Sequence, residues 1–169
     1  AKTAIDNATT NDEVEQAKND GATSVDSVTP TPVAKPEAKK AVEDALKAKE
    51  AEIDARDDLT AEEKTAAKEE AKAKADAAKT AIDNATTNNA VTQAKNAGAT
   101  SVSSVNPTAQ AKPAAKKAIE DALKAKEAEI DTRDDLTAEE KIAAKEEARA
   151  KAEAAKQAVD KAATNADVE

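Results

Sequence analysis

Large aliphatic residues are sparse along this chain and fall at helical steps. Val42, Leu46 and Ile53, joined by Ala45 and Lys49, lie on one face of a helix, and the same steps return at Ile119, Leu123 and Ile130. Pro36 and Pro113 open these two stretches from the first helical position, where a missing N–H does no harm. A second stripe of small residues, Ala67, Ala71, Ala75, Ala78 and Ile82, predicts a helix from Ala61 toward Ala85, and its counterpart ends at Val159. At 1.5 Å per residue such a helix of about 25 residues spans ~37 Å, and its narrow face lets a neighbour approach closely. A shorter helix is predicted around Val14 and again around Val91. Thr10-Asn11-Asp12-Glu13 caps the first of these, and Gly21 and Gly98 are expected to end them by supplying a left-handed residue.

Between the two long stripes the octet Asp57 to Lys64 returns unchanged as Asp134 to Lys141. It reads as the turn of a helical hairpin. Thr60 is placed to cap the following helix while Glu63, three residues on, reaches back to the Thr60 N–H, and Thr137 with Glu140 repeats the arrangement. Asp57, Asp58, Glu62 and Glu63 lie at the positive end of that helix dipole. Leu59 and Leu136 are positioned to close the end of the core. The predicted core is therefore Val42, Leu46, Ile53, Leu59 and Ile82 in one repeat and Ile119, Leu123, Ile130, Leu136 and Val159 in the next.

The whole pattern has a period of 77, since Ala1 returns as Ala78 (78 − 1 = 77), and the first two copies differ at 14 of 77 positions. The first residues match the interior of the next copy, so the chain is expected to be a piece of a longer protein whose targeting signals lie elsewhere. Residues 1–28 are the end of one repeat, 29–35 a connector, 36–98 a complete three-helix repeat, 99–112 a second connector, and 113–169 a further repeat with its last helix cut short. From Ala22 to Lys35, prolines and β-branched residues exclude a stable helix. This connector is expected to be extended, with Val25 and Val28 against a neighbouring helix. The predicted fold is all-α: tandem three-helix bundles joined by Pro/Thr/Ser connectors into an elongated rod.

Composition narrows the function more than the fold. With no Phe, Trp, Tyr, Met, Cys or His, the core must be built from Leu, Ile, Val and Ala, and each unit is expected to be modestly stable, supported where neighbours abut. A net charge of -9 and the lack of aromatic stacking surfaces disfavour nucleic acid. No apolar run approaches the ~20 residues of a membrane span, and alanine stripes bury little in a headgroup layer. Nucleophilic and acid–base chemistry has no His or Cys to use, and the carboxylates sit on solvated faces, so no catalytic residue, cofactor or metal site is assigned. The acidic cluster Asp54, Asp57, Asp58, Glu62 and Glu63 lacks the spacing and glycine of a calcium loop and reads as helix N-terminal charge. Only Arg56, Arg133 and Arg149 offer the arginine that binding hot spots favour. Residues 1–77 carry 12 − 19 = -7 and residues 78–154 carry 12 − 13 = -1, while the apolar stripe is kept, a pattern that suits a unit valued for its shape.

Three motifs carry a family resemblance: Pro-x-Ala-Lys-Lys-Ala-Val/Ile at 36 and 113, Ile-Asp-x-Arg-Asp-Asp-Leu-Thr-Ala-Glu-Glu-Lys at 53 and 130, and Ala-Ile-Asp-Asn-Ala-Thr-Thr-Asn at 81. Together they resemble a tandem helical repeat domain of unknown function found in arrays in cell-wall-anchored surface proteins of staphylococci, streptococci and lactobacilli. The resemblance covers essentially the whole chain. It implies a secreted, cell-wall-anchored protein implicated in adhesion, clustering and biofilm, and transfers no catalytic residue. The expected role is a non-enzymatic stalk that projects a distal binding domain, its partners being neighbouring repeats of the same chain and its state a monomer. The alternative is a binding module for a host protein or for self-association between cells.

Overall fold

The computed structural model describes residues 1–168, which form eight helices and no strand. In chain order these are α1 (Lys2–Asp6), α2 (Asn11–Asp26), α3 (Ala34–Asp54), α4 (Ala61–Asn84), α5 (Asn88–Ser103), α6 (Ala111–Asp131), α7 (Ala138–Lys161) and α8 (Asn165–Val168). The sequence period is visible in helix lengths: α2 and α5 have 16 residues each, α3 and α6 have 21, and α4 and α7 have 24. The chain divides into two units, Ala1–Val33 and Ala34–Glu169.

In the first unit α1 packs on α2. The Thr10 hydroxyl accepts the Glu13 N–H at 3.3 Å, and the Glu13 carboxylate accepts the N–H groups of Thr9 and Thr10 at 2.7 and 3.1 Å, so α2 starts at a complete capping box. No residue of this unit is buried.

The second unit contains a full three-helix bundle, in which α3, α4 and α5 pack on one another in all three pairings. Val42, Leu46 and Ile53 of α3, the stripe Ala67, Ala71, Ala75, Ala78 and Ile82 of α4, and Val91 and Val102 of α5 form one buried cluster, with Val105 just beyond the α5 end. Small side chains on α4 bring the backbones together, so the few larger residues on α3 and α5 suffice to fill the space between them. The Lys49 stem lies buried on the same α3 face, and its ammonium reaches Glu52 at 2.7 Å. α6 and α7 pack as the corresponding hairpin, with α8 touching both.

Several expectations need correction. Gly21 and Gly98 do not cap their helices: both lie inside them, and no glycine has a positive φ. Their role is steric. A Cβ on Gly98 would stand 2.3 Å from the Ala78 Cβ and 3.4 Å from Val42 Cγ2, and one on Gly21 would stand 2.5 Å from the Ala1 Cβ. The helices continue through the β-branched run to Asp26 and Ser103, so the first connector lies at residues 27–33 rather than 29–35 and the second at 104–110 rather than 99–112. α3 and α6 begin at Ala34 and Ala111, two residues before their prolines. Pro36 and Pro113 thus sit third, still among the first four residues whose N–H has no partner within the helix. Val25 and Val28 are exposed rather than tucked away, although their counterparts Val102 and Val105 are buried. Ile119 and Leu123 are half-buried, since among the described residues the four-residue α8 stands where α5 stands in the preceding bundle; Leu136 is half-buried as well, and Ile130 and Val159 are buried.

Candidate functional site

The densest set of long-range polar contacts lies where the hairpin turn between α3 and α4 meets the start of α6 and the end of α7. The capping box of α4 is complete: Thr60 Oγ1 accepts the Glu63 N–H at 3.4 Å and Glu63 Oε2 accepts the Thr60 N–H at 3.0 Å. Glu63 does a second task with its other oxygen. Oε1 accepts the N–H groups of Gln110 and Ala111 at 2.8 and 3.0 Å, at the start of α6, whose own N-cap residue makes no side-chain cap bond. One carboxylate thus caps two helices, and the positive ends of both dipoles favour its charge. Burial pushes the Glu63 carboxyl up, but the N–H bonds from Ala111, Thr60 and Gln110 outweigh it and hold the group below the ordinary glutamate value.

Three further clasps close this joint. The Thr60 hydroxyl, completely buried, donates to Asn165 Oδ1 at 2.6 Å, and the Asn165 N–H donates to Glu62 Oε2 at 2.9 Å. The Ala61 N–H, an orphan of the α4 N-terminus, donates to the Ala163 carbonyl at 2.8 Å. Lys112, 5% exposed, places its ammonium between the carbonyls of Asp57 and Asp160, donating to them at 2.8 and 2.9 Å. A cation at the last carbonyls of α7 meets the negative end of that helix. On the outer side Arg56 forks onto Asp58 at 2.6 and 2.7 Å and also donates to Asn106 Oδ1 and the Pro107 carbonyl at 3.4 and 3.3 Å. Leu59 is buried under these contacts. Among the described residues no buried side-chain polar atom lacks a partner.

The same octet at 134–141 provides the contrast. Thr137 and Glu140 form their own capping box, at 3.3 and 2.8 Å, but Thr137 is exposed and Leu136 only half-buried. Arg133 still grips Asp135, whose carboxyl it holds down at about 2. The turn is therefore autonomous, and what differs at 57–64 is the neighbour docked on it.

The carboxylates singled out in sequence do not converge on a common point. Asp54 pairs with Lys68, Asp58 with Arg56, Glu62 with the Asn165 N–H and Glu63 with backbone donors. Among the described residues there is no group of three or more His, Cys, Asp or Glu able to hold a metal ion, and no helix is long and apolar enough to cross a membrane. Glu70 pairs with Lys74 at 2.8 Å, whereas Glu43 takes Lys79 of α4 rather than its own-helix neighbour Lys47. Sequence reasoning missed Lys112, Ala163 and Asn165. For the two polar residues the available signal was recurrence at the repeat offset, Lys35 with Lys112 one residue before a proline and Asn11 and Asn88 with Asn165 after a Thr; Ala163 gives no such signal, its counterparts being Thr9 and Thr86.

Comparison with known proteins agrees with this modular geometry. Extracellular matrix-binding protein EbhA of Staphylococcus aureus (strain Newman) is 34% identical over 142 residues, covering 84% of this chain and 4% of that protein. Extracellular matrix-binding protein ebh of the strains NCTC 8325 / PS 47 and COL matches at the same identity over the same share of this chain, and over 2% and 1% of their own lengths. The chain thus spans a few hundredths of the length of the curated relatives it matches. No solved structure matches. A family match divides the chain at the starts of α3 and α6, into 1–33, 34–110 and 111–169. With all three stretches matched in tandem, the chain belongs to the family described as Domain of Unknown Function (DUF1542).

Proposed function

We propose that these repeats are non-enzymatic spacers of a secreted, cell-wall-anchored surface adhesin, joined into an elongated rod that carries a distal binding domain away from the cell. The observation that supports this most is the joint itself. Glu63 caps helices of two successive repeats, and the Lys112 ammonium, buried between carbonyls of both, resists any hinge motion that would leave those groups unpaired. A joint of this kind passes orientation from one repeat to the next. The partners are then neighbouring repeats of the same chain, with no role for nucleic acid or membrane insertion.

Small-angle scattering on chains of two, three and four repeats tests this reading. The maximum dimension is expected to grow by a constant step per repeat, and Lys112→Met is expected to broaden the distance distribution by loosening one joint. A compact particle whose radius grows with the cube root of mass would overturn it.

A second reading rests on the relatives, which are named for binding extracellular matrix. Each repeat would then present a helix face to a matrix protein. Capture of a purified matrix protein by the 169-residue chain, saturating at one ligand per repeat, would favour this reading over the spacer.

A further inference from the structure

The ion pairs that cross each hairpin form a ladder. Lys39, Glu43 and Asp54 of α3 meet Asp83, Lys79 and Lys68 of α4, so steps of 4 and 11 residues up one helix are matched by steps of 4 and 11 down the other. In the second hairpin Lys116, Glu120, Glu127 and Asp131 meet Asp160, Lys156, Arg149 and Lys145, with steps of 4, 7 and 4 on both sides. The rung that Glu127 and Arg149 add has its counterpart in Glu50 and Lys72, although Lys72 there turns to Asp76 of its own helix at 2.8 Å. The six lysines of these pairs are half-buried, their stems lying against the helices while the ammonium groups reach across.

The core beneath is poorly suited to fixing how far α4 stands along α3. Slid by four residues, about one turn, α4 puts Ala71, Ala75 and Ile82 where Ala67, Ala71 and Ala78 stand; slid the other way, it puts Ala67, Ala71 and Ala78 where Ala71, Ala75 and Ile82 stand. Three of the five positions of the stripe stay apolar in either case. The charges are less forgiving. The first slip sets Glu43 against Asp83 and Glu50 against Asp76, and the second sets Lys39 against Lys79.

We propose that the four rungs are the register-determining residues of each hairpin, and that α4 without them slides by one turn on α3. Each exposed pair adds little to stability, but register is chosen by the difference between states, and the rungs turn from attractive to repulsive in the competing ones. The ladder thereby holds the turn at 57–64, which carries the joint, at a fixed height on the bundle. This inference does not rest on the spacer reading.

The chain has no cysteine of its own, so spin labels on Glu37→Cys and Glu69→Cys, both exposed, report the register of α3 and α4 in the 169-residue chain. With the rungs intact one narrow distance is expected, and a slip of four residues shifts it along the helix axis by about 6 Å. Neutralising the α4 side with Lys68→Gln, Lys72→Gln, Lys79→Gln and Asp83→Asn is expected to keep the helix content and add a population displaced by that amount. Reversing it with Lys68→Glu, Lys72→Glu, Lys79→Glu and Asp83→Lys makes all four rungs repulsive, and the displaced distance is expected to dominate. Adding Lys39→Glu, Glu43→Lys, Glu50→Lys and Asp54→Lys makes every rung attractive again and is expected to restore the single original distance, which a loss of stability alone would not do. If circular dichroism shows that the one-sided reversal unfolds the bundle, the neutralised and doubly reversed chains carry the test. A neutralised chain that keeps the single original distance overturns the proposal, as does a doubly reversed chain that fails to recover it.

Discussion

At the scale of single residues, two positions carry more than their chemistry suggests. Gly98 is the point of closest approach of α5 to α4, and the atom it would meet is an alanine Cβ fixed to backbone, which cannot swing aside. Gly98→Ala is expected to destabilise the bundle by about 1–2 kcal/mol, the overpacking cost exceeding the gain in helix propensity, as read from the urea midpoint. A glycine in a helical pattern reads in sequence as a stop, and only the neighbour across the interface reveals it as a notch. Glu63 is the other position. Its folded carboxyl lies below the ordinary value of 4.5, so its contribution is fully present above that pH and is lost as the pH falls through the depressed folded value. Acidification below about 4.5 is therefore expected to weaken the joint, seen as faster amide exchange at Ala111, and Glu63→Gln is expected to flatten that dependence. The capping pair Thr60 and Glu63 was legible because it is local, spanning three residues. The second job of Glu63 was not, since Gln110 and Ala111 are 47 and 48 residues away.

Among elements, the two hairpin turns form a natural experiment, identical in sequence and different in surroundings. Thr137→Ala removes an exposed cap and is expected to cost about 0.5–1 kcal/mol. Thr60→Ala removes the cap and also the buried hydroxyl that Asn165 accepts from, so about 1–3 kcal/mol more is expected. Comparing the denaturation midpoints of the two variants isolates the contribution of the joint. Helix identity and order were readable from the aliphatic steps at Val42, Leu46 and Ile53. The far ends of α2 and α5 were not, because Thr, Ser and Val disfavour helix only weakly, and for α5 the burial of Val102 reverses that preference. The prolines likewise mark a helix start to within two residues, the first turn having no N–H partner to lose.

For the molecule as a whole, the sequence period disclosed the repeats but not what fastens them. Lys112, Ala163 and Asn165 each have a bland local meaning, and only folding brings them to the turn at 57–64. The alanine stripe of α4 carries a thermal consequence. Unfolding exposes little apolar surface when the buried face is mostly methyl groups, so the heat-capacity increment per residue is expected to fall below the usual ~12–15 cal/mol/K in differential scanning calorimetry. A small increment flattens the curve of stability against temperature. The margin against unfolding is then expected to vary less between cold and warm surroundings than in a protein with an ordinary core.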